Sequence, residues 1–292
     1  MNELPPQIKK RIDRFLPVVK EGVTLYPILV DKMEEFTRCR AALEFLHQSL
    51  PVAMIQIPLL SAFFQLEIAA SALEQESGET IKITLFSDAV YLLTLSLRLG
   101  LDMDRDRVLG ERVLVVTDRE NPSVLTEVDF ITDKGEIIKI TPGQFGRFKP
   151  IIAAQNGVEL QPEDANPELV EAERAILAAR APKLIFDPAI RISWVAAHSH
   201  ADEETIYSWP ILKFERRCEV LKRTMDYLIY GIGQASGMVT FKDGNPVPSP
   251  FFGKVQDSAA MRPLSDLANP GAEHSVRDGF SEQANKGAVR PK

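Results

Sequence analysis

The sequence VLTEVDFITDKGEIIKITPGQF, residues 124–145, changes from an extended pattern to a helical one and decides the fold class. Residues 124–132 and 136–140 are rich in apolar and β-branched residues, and the turn Asp133-Lys134-Gly135 between them predicts a β-hairpin. Thr141-Pro142 then places a capping residue before a proline, which is typical of the first turn of a helix. A hairpin followed directly by a helix predicts an α+β fold.

Helical patterns dominate the chain on both sides of this stretch. Asp31 is expected to cap one helix, and Ser87 or Asp88 is expected to cap another that ends before Gly100. The longest helical pattern covers residues 209–236. Its apolar residues recur at steps of three and four: Phe214, Cys218, Leu221, Met225, Leu228 and Ile232. The fold class is therefore α+β and predominantly helical.

Two further stretches are expected to be extended, and the chain divides into three parts. Residues 23–30 predict an edge strand, because Pro27 cannot donate a ladder hydrogen bond, and residues 113–117 form a β-branched run. We expect a small α+β N-terminal unit with the hairpin over 1–160, a helical C-terminal unit over 161–256, and a disordered polar tail over 257–292.

Composition narrows the function classes. The chain has 292 residues and a formal net charge of −7, which argues against nucleic acid as a partner. Its most apolar stretch, 50–64, is short and interrupted by prolines, so no membrane anchor is expected. The two cysteines, Cys39 and Cys218, are interpreted as buried free thiols of a reducing compartment, so we expect a cytoplasmic protein.

The sequence offers no recognisable catalytic or cofactor site. The metal-site candidate is His198-Ser199-His200, because two imidazoles near carboxylates can hold zinc. The alternative is a solvated loop in which Asp202 caps the following helix. We therefore predict no cofactor and no metal, with His198 and His200 as the residues to test.

Aromatic residues on and after the long helical pattern are the candidates for protein binding. A rigid proline-rich segment follows that pattern and carries two phenylalanines, which suits a docking element. In the alternative interpretation these phenylalanines fold back and cover the apolar side of the helix. The candidate residues are Trp209, Phe214, Tyr227, Tyr230, Phe251 and Phe252. The sequence therefore predicts a protein-binding protein rather than an enzyme.

Several short patterns resemble the tail assembly chaperones of tailed bacteriophages and prophages. The N-terminal patterns are Tyr26-Pro27-Ile28, Glu34-Glu35-Phe36, Leu43-Glu44-Phe45 and Gln48-Ser49-Leu50-Pro51. The C-terminal patterns are Trp209-Pro210, Phe214-Glu215-Arg216-Arg217, Met225-Asp226-Tyr227, Ser236-Gly237-Met238-Val239 and Gly244-Asn245-Pro246. These patterns lie within two stretches of the chain, residues 26–51 and 209–246.

This resemblance implies a non-enzymatic role in the host cytoplasm. Such a chaperone binds the long, aggregation-prone tape-measure protein and recruits tail-tube subunits around it. The alternatives are a structural tail or baseplate adaptor that stays in the virion, and an enzyme whose site is not recognised. A second copy of the chain is a further possible partner.

Overall fold

The computed structural model describes residues 4–77, 83–162, 165–180 and 188–236, and these contain ten α-helices and five β-strands. The predicted tail, 257–292, lies outside these ranges, as does the segment with Phe251 and Phe252. The helices are α1 (Pro6–Asp13), α2 (Met33–Glu44), α3 (Leu59–Ser77), α4 (Leu85–Leu97), α5 (Arg105–Arg112), α6 (Pro142–Gln155), α7 (Pro167–Arg180), α8 (Pro188–Ser199), α9 (Glu203–Tyr207) and α10 (Ile211–Ala235).

The strands form two small antiparallel sheets. One sheet pairs β1 (Val18–Lys20) with β2 (Val23–Leu25), and the other has the order β3-β4-β5, with β3 (Val113–Thr117), β4 (Leu125–Ile131) and β5 (Ile137–Ile140). The turn between β4 and β5 contains Gly135 at φ 80°, a conformation that favours glycine. The predicted hairpin and the α+β, predominantly helical fold class are confirmed.

The hairpin leads directly into α6, as the sequence predicted. The backbone N–H of Thr141 donates to Oε1 of Gln144 at 2.8 Å, which satisfies a group at the start of the helix. Gly157 has a φ of 73°, so the helix ends at the predicted Asn156-Gly157. The inward side of α6 supplies Phe145 and Phe148, which are fully buried.

Residues 25–30 form an extended segment whose peptide groups bond to several different elements. The N–H of Tyr26 donates to the carbonyl of Ser96 in α4 at 2.7 Å. The side chain of Asn156, at the end of α6, accepts from the N–H of Ile28 at 3.0 Å. Gln155 Nε2 donates to the carbonyl of Leu25 at 3.1 Å. Pro27 lies between these donors and has no N–H to satisfy.

The same segment also holds the start of α10. The N–H of Val30 donates to the carbonyl of Trp209, and the N–H of Ile211 donates to the carbonyl of Ile28, both at 2.9 Å. These two bonds flank the isolated bridge between Leu29 and Pro210. The long helix therefore begins at a point fixed by backbone hydrogen bonds.

Contacts divide the chain into two compact units, Met1–Pro167 with Phe186–Arg217, and Glu168–Ile185 with Cys218–Lys292. The first unit thus takes in α8, α9 and the start of α10, which the sequence analysis placed in the C-terminal unit of 161–256. The backbone bonds between residues 28–30 and 209–211 are the physical reason for this wider extent.

Two sequence-based expectations near the N-terminus are wrong in detail, and two helices were not predicted. The predicted strand 23–30 is a strand only over Val23–Leu25, because the following peptide groups bond to helices and loops instead of a neighbouring strand. Asp31 does not cap α2, since it lies inside a single 3-10 turn, Val30–Lys32, before that helix. The sequence analysis did not predict α1 or α5.

The cap of α4 also differs from the prediction. Neither Ser87 nor Asp88 caps the helix, which begins at Leu85. The carboxylate of Glu67, from α3, accepts from the backbone N–H groups of Phe86 and Ser87, both at 3.1 Å. A carboxylate at a helix N-terminus satisfies unpaired donors and complements the helix dipole. At the other end, Arg98 rather than Gly100 follows the last helical residue in the left-handed conformation, with φ 58°.

Replacing Asn156 with alanine should destabilise the fold, because it leaves the buried N–H of Ile28 without an acceptor. We expect Asn156→Ala to lower the free energy of unfolding by about 1–3 kcal/mol, measured by urea denaturation of the full chain. Asn121→Ala is the control, since Asn121 makes an exposed turn contact, and it should change stability by less than about 0.5 kcal/mol. Equal effects of the two variants would contradict the role given to residues 25–30.

Candidate protein-binding surface

The long helix α10 carries a strict seven-residue repeat of apolar residues. In heptad notation, the a positions are Ile211, Cys218, Met225 and Ile232, and the d positions are Phe214, Leu221 and Leu228. Residues at these positions share one side of a helix, so they form a continuous apolar stripe. We call this stripe the α10 seam.

The burial of the seam changes along its length. Phe214 is 0% exposed and Cys218 is 8% exposed, so the first part of the seam is buried. The exposed fraction then rises to 39% at Met225, 50% at Leu228 and 69% at Ile232. One uninterrupted repeat therefore contributes to the protein core at its start and faces solvent at its end.

The exposed part of the seam has the spacing of a helix that docks against another apolar surface. Met225, Leu228, Ile229 and Ile232 occupy positions i, i+3, i+4 and i+7, and each is exposed. Burying a side chain of this size contributes about 1.5–3 kcal/mol relative to leaving it in water. A contiguous apolar surface of this kind is characteristic of an interaction site, whereas isolated exposed apolar residues are ordinary.

Two cations border the seam, one on each side. Arg217 occupies a g position and Lys222 an e position, the two positions that flank the a and d residues. Neither side chain forms an ion pair or a hydrogen bond with another residue that the structure describes. Their neighbours are already engaged: Arg223 pairs with Glu219 at 2.6 Å, and Arg216 pairs with Asp13 at 2.8 Å.

The aromatic residues predicted from the sequence do not gather on this surface. Phe214 belongs to the seam but is fully buried, so its side chain stabilises the first unit. Tyr227 is exposed, yet it lies two residues, or about 200°, round the helix from Met225 and so faces away from the seam. Tyr230 lies in α10, but its side chain is outside the described part of the structure, as are Phe251 and Phe252.

Trp209 has a structural position at the start of α10. Its carbonyl accepts from Val30, and the Nζ atom of Lys213 lies 4.0 Å from its ring centroid. A cation over an indole ring at this distance is an attractive contact. Trp209 therefore helps to fix the buried start of the helix, and it lies well before the exposed part of the seam.

The two histidines lie at the end of α8, with His198 in its last turn and His200 just after it. His198 Nδ1 lies 2.8 Å from the carbonyl of Trp194, and the next histidine, His200, has a φ of 52° just after α8. Asp202 caps α9 by accepting from the backbone N–H of Thr205 at 2.7 Å. The hydrogen bond from the Thr205 side chain, and then the one from its backbone N–H, lower the pKa of the Asp202 carboxyl. In the described ranges, no group of three or more His, Cys, Asp and Glu side chains is placed to hold a metal ion.

A buried polar cluster in the first unit surrounds the other cysteine. Asp88 in α4 accepts from Arg105 Nη2 at 2.5 Å and from Thr84 Oγ1 at 2.9 Å. Cys39 in α2 is fully buried beside this carboxylate. Burial raises the pKa of the Cys39 thiol to about 12, and the nearby negative charge of Asp88 acts in the same direction. The cluster joins α2, α4 and α5, and its thiol is protonated at neutral pH.

The first unit also contains a cavity of about 270 Å³ between the end of α2, the start of α3 and α6. Most of its lining is apolar, with Phe45, Leu59 and Pro150 among the residues that face it. Lys149 also lines the cavity, and its ammonium group donates to the carbonyl of Phe45 at 2.7 Å. This lysine therefore serves to hold the end of α2 against α6.

No family model, curated protein or solved structure matches this chain. Over the ranges that the structure describes, each helix is too short or too polar to cross a lipid bilayer. The feature of the described structure that points to a function is the apolar repeat of α10 and its change of burial.

Substitutions in the exposed part of the seam should leave the fold intact. Leu228→Glu with Ile232→Glu should change the free energy of unfolding by less than about 0.5 kcal/mol per site, because both side chains are already in water. Phe214→Ala, at a fully buried position of the same seam, should cost about 3–5 kcal/mol. Urea denaturation of the full chain measures both effects, and a large loss in the double variant would mean that these residues belong to the core.

The Cys39 thiol should resist alkylation in the folded protein. At pH 8.5 we expect iodoacetamide to modify Cys39 at least ~100-fold more slowly in buffer than in urea, because only the unfolded thiol has its ordinary pKa and access to solvent. Peptide mapping by mass spectrometry measures modification at this residue alone. Since unfolding lowers the raised pKa, this thiol should also make the fold less stable as pH rises above about 8.5. Rapid labelling without urea would contradict the burial of Cys39.

Proposed function

We propose that this chain is a protein-binding protein that docks its partners on the exposed part of the α10 seam, residues 221–232. The observation that carries the proposal is the change of burial along one continuous heptad repeat, from 0% exposed at Phe214 to 69% at Ile232. The exposed end of the helix offers apolar side chains at helical spacing. A partner that covers them removes apolar surface from water, which is the main favourable contribution to most protein association.

The surroundings of the seam favour reversible binding. The exposed part of the seam is about three turns of a helix long, so it offers a short contact rather than the large interface of an obligate complex. Arg223 and Asp226 lie outside the seam, at f and b positions, where charged side chains keep the rest of the helix hydrated. Such a surface suits a protein that holds an apolar segment of another protein and later releases it.

The sequence resemblance extends this proposal to particular clients. If the chain acts as a tail assembly chaperone does, its clients are the tape-measure protein and the tail-tube subunits. The exposed seam would then cover apolar helical segments of the tape-measure protein before the tube forms around it. Covering such segments opposes aggregation, because transiently exposed apolar surface is what drives it.

A pull-down with matched variants tests the proposal. The tagged wild-type chain, the variant Leu228→Glu/Ile232→Glu and the control Val220→Glu are purified from producing cells, with mass spectrometry of the bound proteins. Val220 is 47% exposed on the same helix but lies away from the seam, so it matches Leu228 in exposure alone. We expect the wild type and the control to recover the tape-measure or tail-tube protein, and the double variant to lose at least ~90% of it.

Mass spectrometry of finished particles separates the two phage roles. Absence of the chain from particles supports the assembly chaperone, and its presence in stoichiometric amounts would instead make it a structural adaptor. Recovery that is equal for all three proteins would contradict docking on the seam. Recovery of neither client by the wild type would remove the phage assignment.

A further inference from the structure

We propose that the cavity between α2, α3 and α6 is a binding site for a neutral ring compound that carries a hydroxyl group. The residues that line it, from Leu43 to Pro162 along the chain, all belong to the first unit. Its described lining contains no residue of the α10 seam, so this inference does not depend on the proposed function. It rests on unpartnered polar atoms in the wall, on the shape and volume of the cavity, and on the charges around it.

Two buried polar atoms of the lining residues are bonded to no residue that the structure describes. They are Nε2 of His47 and Oε1 of Gln161. Buried polar atoms are almost always hydrogen-bonded in native proteins, because an unpaired atom has lost its bond to water without a replacement. A ligand held in the cavity would supply the partners that the described residues do not.

A hydroxyl group is the ligand group that suits both atoms. The side-chain oxygen of Gln161 accepts hydrogen bonds, whereas Nε2 of His47 accepts or donates according to the tautomer of the ring. A hydroxyl group donates one hydrogen bond and accepts others, so it can pair with the oxygen and with either form of the imidazole. An ether or a ketone has no proton to give to Gln161.

The side of α6 that lines the cavity carries glycines in place of larger residues. Gly143 and Gly146 are one helical turn apart, and both line the cavity. A Cβ atom at Gly146 would meet no described atom within 4 Å, and one at Gly143 would meet only the side chain of Arg147, at 3.8 Å. Glycine is disfavoured inside a helix, and here the packing does not require it. The missing side chains leave room for a ligand, and the exposed Gly146 lies at the entrance.

The volume of the cavity favours a ring compound over bound water. An apolar cavity of about 150 Å³ is known to hold benzene. At about 270 Å³, this cavity therefore has room for two fused rings. The same space would take about nine water molecules, and each ordered water needs about two to four polar partners. Most of the lining is apolar, including Leu43, Leu59 and Pro150, so it does not offer that many partners.

The charges in the wall favour a neutral ligand. Glu44 and Lys149 both line the cavity and carry opposite charges. The ammonium group of Lys149 donates to the carbonyl of Phe45 at 2.7 Å, and the carboxylate of Glu44 accepts from Arg40 Nε at 2.6 Å. Both charges are therefore engaged, and an ionic ligand would lose its hydration without gaining a free counter-charge.

Calorimetric titration of the full chain with 2-naphthol at pH 7 tests the site. This compound has two fused rings and one hydroxyl group, and in the matched compound 2-methoxynaphthalene a methyl group replaces the hydroxyl proton. We expect 2-naphthol to bind at one saturable site at least ~10-fold more tightly than 2-methoxynaphthalene, because only the hydroxyl group can donate to Gln161. In the variant Gln161→Leu the two affinities should differ by less than about twofold.

Two glycine variants with the same substitution test where the compound binds. Gly146→Leu places a side chain in the open space at the cavity and should weaken 2-naphthol binding at least ~10-fold. Gly110→Leu is the control, because Gly110 also lies inside a helix with nothing within 4 Å of its Cβ position but does not line the cavity. It should bind 2-naphthol as the wild type does. Since leucine forms helices better than glycine, neither variant should melt below the wild type.

Several outcomes would overturn the inference. No saturable binding of 2-naphthol, equal affinities for the two compounds, or unchanged binding in Gly146→Leu would each do so. Loss of binding in Leu228→Glu/Ile232→Glu would place the compound on the α10 seam instead. Tighter binding of N-acetyltyrosinamide, which carries a phenol on a peptide, would assign the cavity to a tyrosine side chain of another protein. None of these results bears on the pull-down, so the proposed function would stand or fall separately.

Discussion

The arrangement of the first unit depends on the backbone hydrogen bonds of residues 25–30. A short extended segment without a neighbouring strand must find partners for its peptide groups elsewhere, because a buried unpaired group is costly. Here the partners are the last turn of α4, the amide side chains that end α6, and the residues just before α10. Each of these elements is thereby placed relative to the same few peptide groups, and Pro27 has no N–H that needs a partner.

The same arrangement explains why α10 differs between its two ends. The bonds from Val30 and Ile211 fix the first turn, and the buried Phe214 continues that attachment through packing. Beyond Cys218 the apolar repeat goes on, although the side chains are increasingly in water. A helix formed only to complete the core would lose its apolar stripe where the core ends. The persistence of the repeat is what makes the exposed part of the seam a candidate for binding.

Local signals made a good part of the fold predictable. The turn at Gly135, the Thr141-Pro142 helix start and the seven-residue repeat of α10 are all written in neighbouring residues, and the structure has the corresponding elements. The failures concern long-range partners. Nothing near Leu85 announces that Glu67 will cap α4, and nothing near Tyr26 announces that its N–H will bond to α4 instead of a strand.

For the same reason, the sequence predicted only part of the candidate surface. The repeat from Phe214 to Ile232 could be read directly, but its division into a buried and an exposed part depends on where the rest of the chain packs. Aromatic residues drew attention to Phe214 and Tyr227, which are respectively buried and on the far side of the helix. The signal that identifies the surface is the rise in exposure along the repeat, which depends on the folded structure.

Because the exposed apolar residues belong to one continuous helix, whether they share one side of it is set by the number of residues between them. Each residue added to an α-helix turns everything beyond it by about 100° and advances it by about 1.5 Å. One residue inserted after Leu221 would turn Met225, Leu228 and Ile232 by about 100° relative to Leu221, so the four residues would no longer share one side of the helix. An insertion or deletion in this stretch would therefore change the side of the helix on which the apolar residues lie. It would do so without replacing any of those residues.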